Sequence, residues 1–211
     1  MKCRVFFNTL IPFVIVVNLF QTRQSQAEPS PIFEPIIENI KTRLPSGLKM
    51  RLPASVLSTQ DSILYSFLPN DDRMLAVDLE DIEVEFFTVL IADRPDCLEQ
   101  KNLEDCLVAA VGVSEDPIKS QAELDKLLAN HEGNFSTIEF GQGISGFYFE
   151  QPQLQAIVWR QKQMVHLLVS RRCPSDHNYI SKQQLIKMAK SAAEEPAITS
   201  RIYNFDTSRL N

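Results

Sequence analysis

No phosphate-binding loop, no dinucleotide fingerprint and no nucleophile elbow occur in this 211-residue sequence. The nearest approach to an elbow is Gly143-Ile144-Ser145-Gly146, where glycines flank a serine outside the G-x-S-x-G order. Histidine is scarce, at three in the chain, and the four cysteines never fall into a C-x-x-C pair. That spacing argues against a redox or metal pair. No repeat, low-complexity segment or clear linker divides the chain. Positive charge is in deficit: Lys and Arg number 21 against 27 acidic residues, for a net charge of −6. This balance argues against nucleic acid and against anionic membrane surfaces as partners. Its ordinary meaning is solubility.

A long uninterrupted apolar run is also missing. Residues 5–20 are largely apolar but are broken by Asn8, Pro12 and Asn18. A membrane span needs about twenty such residues, so the run reads as the core of a secretory signal. Lys2 and Arg4 supply the basic start, and Ser25-Gln26-Ala27 places small residues at the cleavage site. Cys3 precedes the apolar region and so cannot be a lipoprotein acceptor. Cleavage after residue 27, the reading preferred over retention of the run as a membrane anchor, leaves 28–211 without a stable membrane span, periplasmic or secreted. It also makes the balance more acidic, because Lys2, Arg4 and Arg23 leave and no acidic residue does. A chain of that size can bury one core as a single domain.

What is present is a well-patterned stretch, residues 141–195. Phe147 and Phe149 alternate with Tyr148; Ile157 and Trp159 with Ala156 and Val158; Val165, Leu167 and Val169 with His166 and Ser170. Period-two patterns of aromatic and β-branched residues predict strands over 146–151, 155–160 and 164–170. The polar breaks at 151–153 and 161–163 are short enough for antiparallel connections. Ser181 and Gln184 form a capping box, and Leu185, Met188, Ala189, Ala192 and Ala193 make one apolar stripe. Pro196 ends that helix.

The Gly141/Gly143/Gly146 approach, the aromatic strand, Ile157-Val158-Trp159 and the helix beginning Ser181-Lys182-Gln183-Gln184 carry a resemblance. Over this C-terminal quarter the chain resembles an uncharacterised family of bacterial extracytoplasmic domains, often attached to anti-sigma factors or found as small envelope proteins. The resemblance implies a binding or sensing module and brings no catalytic residues with it. The loop 171–180, long and cysteine-bearing, departs from it.

Upstream, Ile36, Ile37, Ile40 and Leu44 predict a helix stopped by Pro45-Ser46-Gly47. Leu48, Met50 and Leu52 read as a strand with one wet face. Residues 63–68 and 74–79 read as a strand pair around the turn cluster Pro69-Asn70-Asp71-Asp72. Residues 82–91 predict the longest strand, near the sheet centre with helix cover. Glu83, Glu85, Asp78 and Asp81 read as a solvated face. Residues 106–113 predict another strand. Cys97 and Cys106, in an exported chain, are a disulfide candidate that would pin the hairpin between two central strands. Ser120 and Glu123 form a second capping box for a helix ending at Gly133, with His131 at its end. Residues 197–211 carry no period long enough to place.

The remaining candidate chemistry is Cys173 and His177, with Arg171 and Arg172 beside them. A thiol near an imidazole can be a nucleophile with its base, and neighbouring arginines lower a thiol's pKa. Cysteine and histidine can also share a metal, but two ligands alone do not make a site. His166 reads as a partly exposed or hydrogen-bonded strand residue. The sequence therefore predicts an exported α+β domain, a mainly antiparallel sheet with two or three helices packed on it. It has no catalytic, cofactor or metal set, and binds an envelope protein or a small apolar ligand. A thiol-dependent hydrolase or transferase using Cys173 and His177, or a lipid carrier built on a half-barrel, is the alternative.

Overall fold

The computed structural model describes residues 28–56, 63–69, 75–79, 82–99, 106–115, 135–171 and 180–201, with only the backbone of 75–79 and 82–85. The expected signal segment 1–27, the expected helix at 120–133 with His131, and residues 202–211 lie outside the described residues.

A one-turn-plus 3-10 segment, Pro31–Ile36, runs into helix α1, Ile37–Arg43. Strands β1 (Lys49–Met50), β2 (Tyr65–Phe67), β3 (Leu75–Leu79) and β4 (Ile82–Ala92) follow. After these come β5 (Leu107–Glu115), β6 (Ser136–Gly141), β7 (Ile144–Glu150), β8 (Leu154–Gln161) and β9 (Met164–Arg171). Helix α2 (Lys182–Glu194) and the short β10 (Ile198–Thr199) close the described chain. The main sheet is antiparallel in the order β2-β4-β5-β9-β8-β7-β6, with β3 also on β4. A separate ribbon pairs β1 with β10.

Two expectations about the first strands are corrected. Tyr65 pairs with Ala92 and Phe67 with Leu90, while Leu75 pairs with Phe86 and Leu79 with Ile82. β2 and β3 therefore do not form a hairpin with each other. They follow one another along the same edge of β4, and β3 and β4 are the hairpin. Consequently β4 lies one strand in from the edge, and β9 occupies the centre.

The register sorts the side chains into two faces. On the helix face stand Val89 and Ile91 of β4, Val111 and Val113 of β5, Leu168 of β9, Ile157 and Trp159 of β8, and Tyr148 of β7. All are buried in one cluster with Phe33, Ile40, Met50 and Leu52 and with the α2 stripe Leu185, Met188, Ala189, Ala192 and Ala193. Three of those five helix positions are alanines, which lets α2 lie close to the sheet. At about 25 cal/mol per Å² of apolar surface removed from water, this layer is the main source of cohesion. On the opposite face Phe86, Ala156, Val165 and Leu167 form a smaller buried cluster, flanked by half-buried Phe149, Val158 and Val169.

The capping box forms as expected. The Gln184 amide donates to Ser181 Oγ at 3.3 Å, and the Ser181 amide donates to Gln184 Oε1 at 2.8 Å. The β8–β9 connection turns at Lys162 and Gln163, whose φ values of 52° and 65° are those of a two-residue type I′ turn. The neighbouring β6–β7 hairpin turns through Gly141, Gln142 and Gly143, all at positive φ. Strand β6 itself, with buried Ile138 and Phe140 alternating with exposed Thr137 and Glu139, has no counterpart among the strands expected from sequence.

Cys97 and Cys106 are joined by a disulfide with their Cα atoms 5.7 Å apart, closing the connection between β4 and β5. In the chain-entropy account a closure of this length is worth roughly 2.5 kcal/mol. Reduction, or replacement of both cysteines by alanine, should lower the urea-unfolding free energy by about that amount. An unchanged midpoint under reducing conditions would contradict it.

Candidate functional site

Buried polar side chains gather at both ends of α2, in the seam between that helix and the sheet. At the N-terminal end, Gln155 is 1% exposed on the helix face of β8. Its Nε2 donates to Ser170 Oγ at 3.0 Å and to the Ile180 carbonyl. Tyr148 Oη donates to Glu150 Oε2 at 2.7 Å and also lies 3.2 Å from Gln155 Oε1. Lys182 Nζ sits 4.0 Å above the Tyr148 ring, a cation–π contact, and 3.3 Å from Ser136 Oγ. No buried side-chain atom of Gln155, Tyr148 or Ser170 is left without a partner. A satisfied network of this kind fixes where a helix starts; it offers nothing to a ligand.

The C-terminal end differs. Trp159 and His166 face each other across β8 and β9, with rings stacked at 5.1 Å between centroids and 18° between planes. Gln161 is two residues on, at the end of the hairpin. Arg51, just past β1, donates from Nη1 to the Ala193 carbonyl at 3.1 Å and to the Glu195 carbonyl. Gln161 Nε2 donates to the same Ala193 carbonyl at 3.1 Å. These donors satisfy carbonyls that a helix C-terminus leaves open, and the guanidinium suits the negative end of the helix dipole. Yet Trp159 Nε1, Gln161 Oε1, His166 Nδ1 and both carboxyl oxygens of Glu195 are buried without a hydrogen-bond partner. Each such atom carries a desolvation cost of about 1–3 kcal/mol.

Burial dominates the electrostatics here. It lowers the His166 pKa to about 3, with Arg51 adding to the effect, so the imidazole is neutral. Burial raises the Glu195 pKa; Glu194 and Glu28 push the same way, and Arg51 opposes. Burial also lowers the Arg51 pKa, with Glu195 working against it. The arrangement can hold a carboxyl in its protonated form beside a neutral imidazole and a capping guanidinium.

Comparison with family models, with curated proteins and with solved structures finds no match.

Among the described residues no three His, Cys, Asp or Glu side chains are grouped so as to hold a metal ion, and no helix is long and apolar enough to cross a membrane. Cys173 and His177 lie outside the described residues, as does Asp81, and the side chains of Asp78, Glu83 and Glu85 do too. His166 was expected as a partly exposed or hydrogen-bonded strand residue; the exposure is corrected, since it is a core histidine 1% exposed with Nδ1 unpartnered. It stands on the helix face of β9 beside Trp159, and the layer of α1 and α2 closes that face, so the alternation that separates it from Val165 and Leu167 does not lead to water. Arg51, Gln155, Gln161 and Glu195 were not singled out by sequence. Gln155 stands in register with Ile157 and Trp159, which is the one local sign that it points inward.

Proposed function

We propose that this chain is an exported α+β module without catalytic machinery that works by binding a protein partner through the β7–β8 end of the sheet face opposite α1 and α2. The observation that carries the reading is the character of that face. Phe147, Phe149, Val158 and Val169 are half-buried there, around the fully buried Leu167 and Ala156. The apolar side chains of the helix face are consumed by packing on α1, α2 and the residues after β1, where a lipid carrier would leave an open apolar groove. A row of half-buried apolar side chains on neighbouring strands suits a protein surface better than it suits a small ligand, which needs a concave site. The secretory character of residues 1–27, the acidic balance and the resemblance of the C-terminal quarter to extracytoplasmic domains support the envelope as the place of action.

The test compares the tagged mature protein with a Phe147→Ser/Val158→Thr double variant. Each is incubated with envelope extract, and the retained proteins and lipids are identified by mass spectrometry. A protein held by the parent chain and lost from the double variant, with cooperative melting kept, is the expected result. Equal retention by both, or retention of lipid alone, would sink the reading. The same protein retained less by Cys173→Ser than by the double variant would turn attention to the thiol.

A further inference from the structure

We propose that Glu195 and Arg51 are two halves of a latch holding the last described segment, β10 and Arg201, onto β1 and α1, and that a proton on the Glu195 carboxyl keeps it closed. The proposal is independent of the partner-binding reading. Its geometry starts at the end of α2. Glu195 leaves the helix in extended conformation, with φ −67° and ψ 150°, and its amide still bonds the Ser191 carbonyl at 3.1 Å. Ile198 and Thr199 then pair with Met50 and Lys49. The Arg201 amide donates to the Lys41 carbonyl at 2.9 Å, and its guanidinium meets Glu38. Arg51 follows β1 directly, so one side chain ties the strand that receives β10 to the helix end from which β10 departs.

The carboxyl of Glu195 is the weak part of this arrangement. It is 1% exposed, and neither oxygen has a partner. A neutral acid tolerates such a place, because it has no charge to desolvate; an ionised one requires water or a cation. Arg51 is the neighbouring cation, and it is committed to the Ala193 and Glu195 carbonyls. Ionisation leaves two ways out. Arg51 can turn to the carboxylate and uncap the helix, or Glu195 can rotate into solvent and take Pro196 and β10 with it. Both loosen the segment.

The charged and titratable groups around the carboxyl come from each side. Arg51 faces it from the segment after β1, Glu194 from its own helix and Glu28 from the lead-in. His166 of β9 faces Arg51 and is neutral. The folded pKa of Glu195 is raised, so its contribution to the closed form is full below the ordinary value of 4.5 and is lost as pH rises through the folded value.

The test is amide exchange by NMR on the full mature chain, at the Arg201 amide and the β1–β10 ladder, corrected for intrinsic rates. Between the ordinary value of 4.5 and the raised folded midpoint of Glu195 the protection should fall about tenfold per pH unit, and above that midpoint it should level off. Glu195→Gln, which cannot ionise, should keep its protection across the range. Protection in the parent chain that does not change with pH would overturn the latch, and so would an equal pH-dependent loss in Glu195→Gln. Should that variant fail to fold, a carbon-13 titration of Glu195 in the parent chain decides. A midpoint at or below the ordinary value would overturn the latch, and a raised midpoint at which the loss of protection levels off would support it.

Discussion

Lowering the pH from about 7 to about 4.5 is expected to remove roughly 2.5 kcal/mol of stability through one side chain, His166. The imidazole is 1% exposed, stacked on Trp159 and close to Arg51, and burial with that neighbouring charge lowers its pKa from 6.5 to about 3. A group whose folded pKa is depressed contributes fully above its unfolded value. The contribution is lost as pH falls through the window between the two, here from 6.5 towards 3. Within the window each pH unit costs about 1.4 kcal/mol, because the unfolded chain binds a proton that the folded one refuses.

The measurement is urea unfolding at a series of pH values, comparing the parent chain with His166→Gln. The variant removes the titrating group but keeps a polar side chain beside Trp159. The difference between the two curves should slope through the whole window and flatten above about pH 6.5. Parallel curves would show that His166 is protonated in the folded state, or that acid reaches it without unfolding. Comparing with a variant also separates this effect from Glu195, which acts with the opposite sign. Its raised pKa gives stability that is full below 4.5 and is lost as pH rises through the folded value. The parent chain alone therefore shows the two effects partly cancelled. Both arise in one place, where the end of α2 covers polar groups of β8 and β9 that other contacts do not satisfy.

The sequence made parts of this molecule readable because their determinants are local. Strands β7, β8 and β9 follow a two-residue alternation, and α2 is bracketed by a capping box and a proline. The disulfide was expected from two cysteines nine residues apart, Cys97 and Cys106, in a chain read as exported. Other features depend on residues that the chain brings together from afar. Arg51 and Glu195 are 144 positions apart, so no pattern around either one announces the other. The Pro69-Asn70-Asp71-Asp72 cluster showed an interruption of the chain without showing its partner. Pairing with β4 was decided by register along a shared edge, from Tyr65 with Ala92 to Leu79 with Ile82. His166 was misplaced for a related reason. Alternation separates the two faces of a strand, but only the layers above and below decide whether a face is wet.

Gly146 offers the sharpest test of how the helix face is packed. A Cβ added there would lie 2.4 Å from Cε2 and 2.9 Å from Cζ of Phe140, and 2.9 Å from the Val158 carbonyl oxygen. The Phe140 ring thus crosses directly over the Gly146 backbone on its way to Trp159, 5.7 Å away between centroids. The constraint is space and not backbone conformation, since Gly146 is not among the positive-φ glycines. Relief is restricted on both sides: the carbonyl belongs to the β7–β8 ladder, and Phe140 is held by the core. Gly146→Ala should therefore cost about 2–3 kcal/mol, the usual penalty for overpacking a filled site. Phe140→Leu shortens the obstructing ring and should itself cost about 1–2 kcal/mol through the space it opens beside Trp159. Combined, the two changes should cost at least about 1 kcal/mol less than their sum, because the leucine removes the atoms that the new methyl meets. Strict additivity in a urea-unfolding cycle would mean that the ring and the glycine do not touch in solution. A Gly146→Ala variant as stable as the parent would mean that β6 and β7 have room to separate, and that the β6 edge is packed more loosely than Phe140 and Trp159 imply.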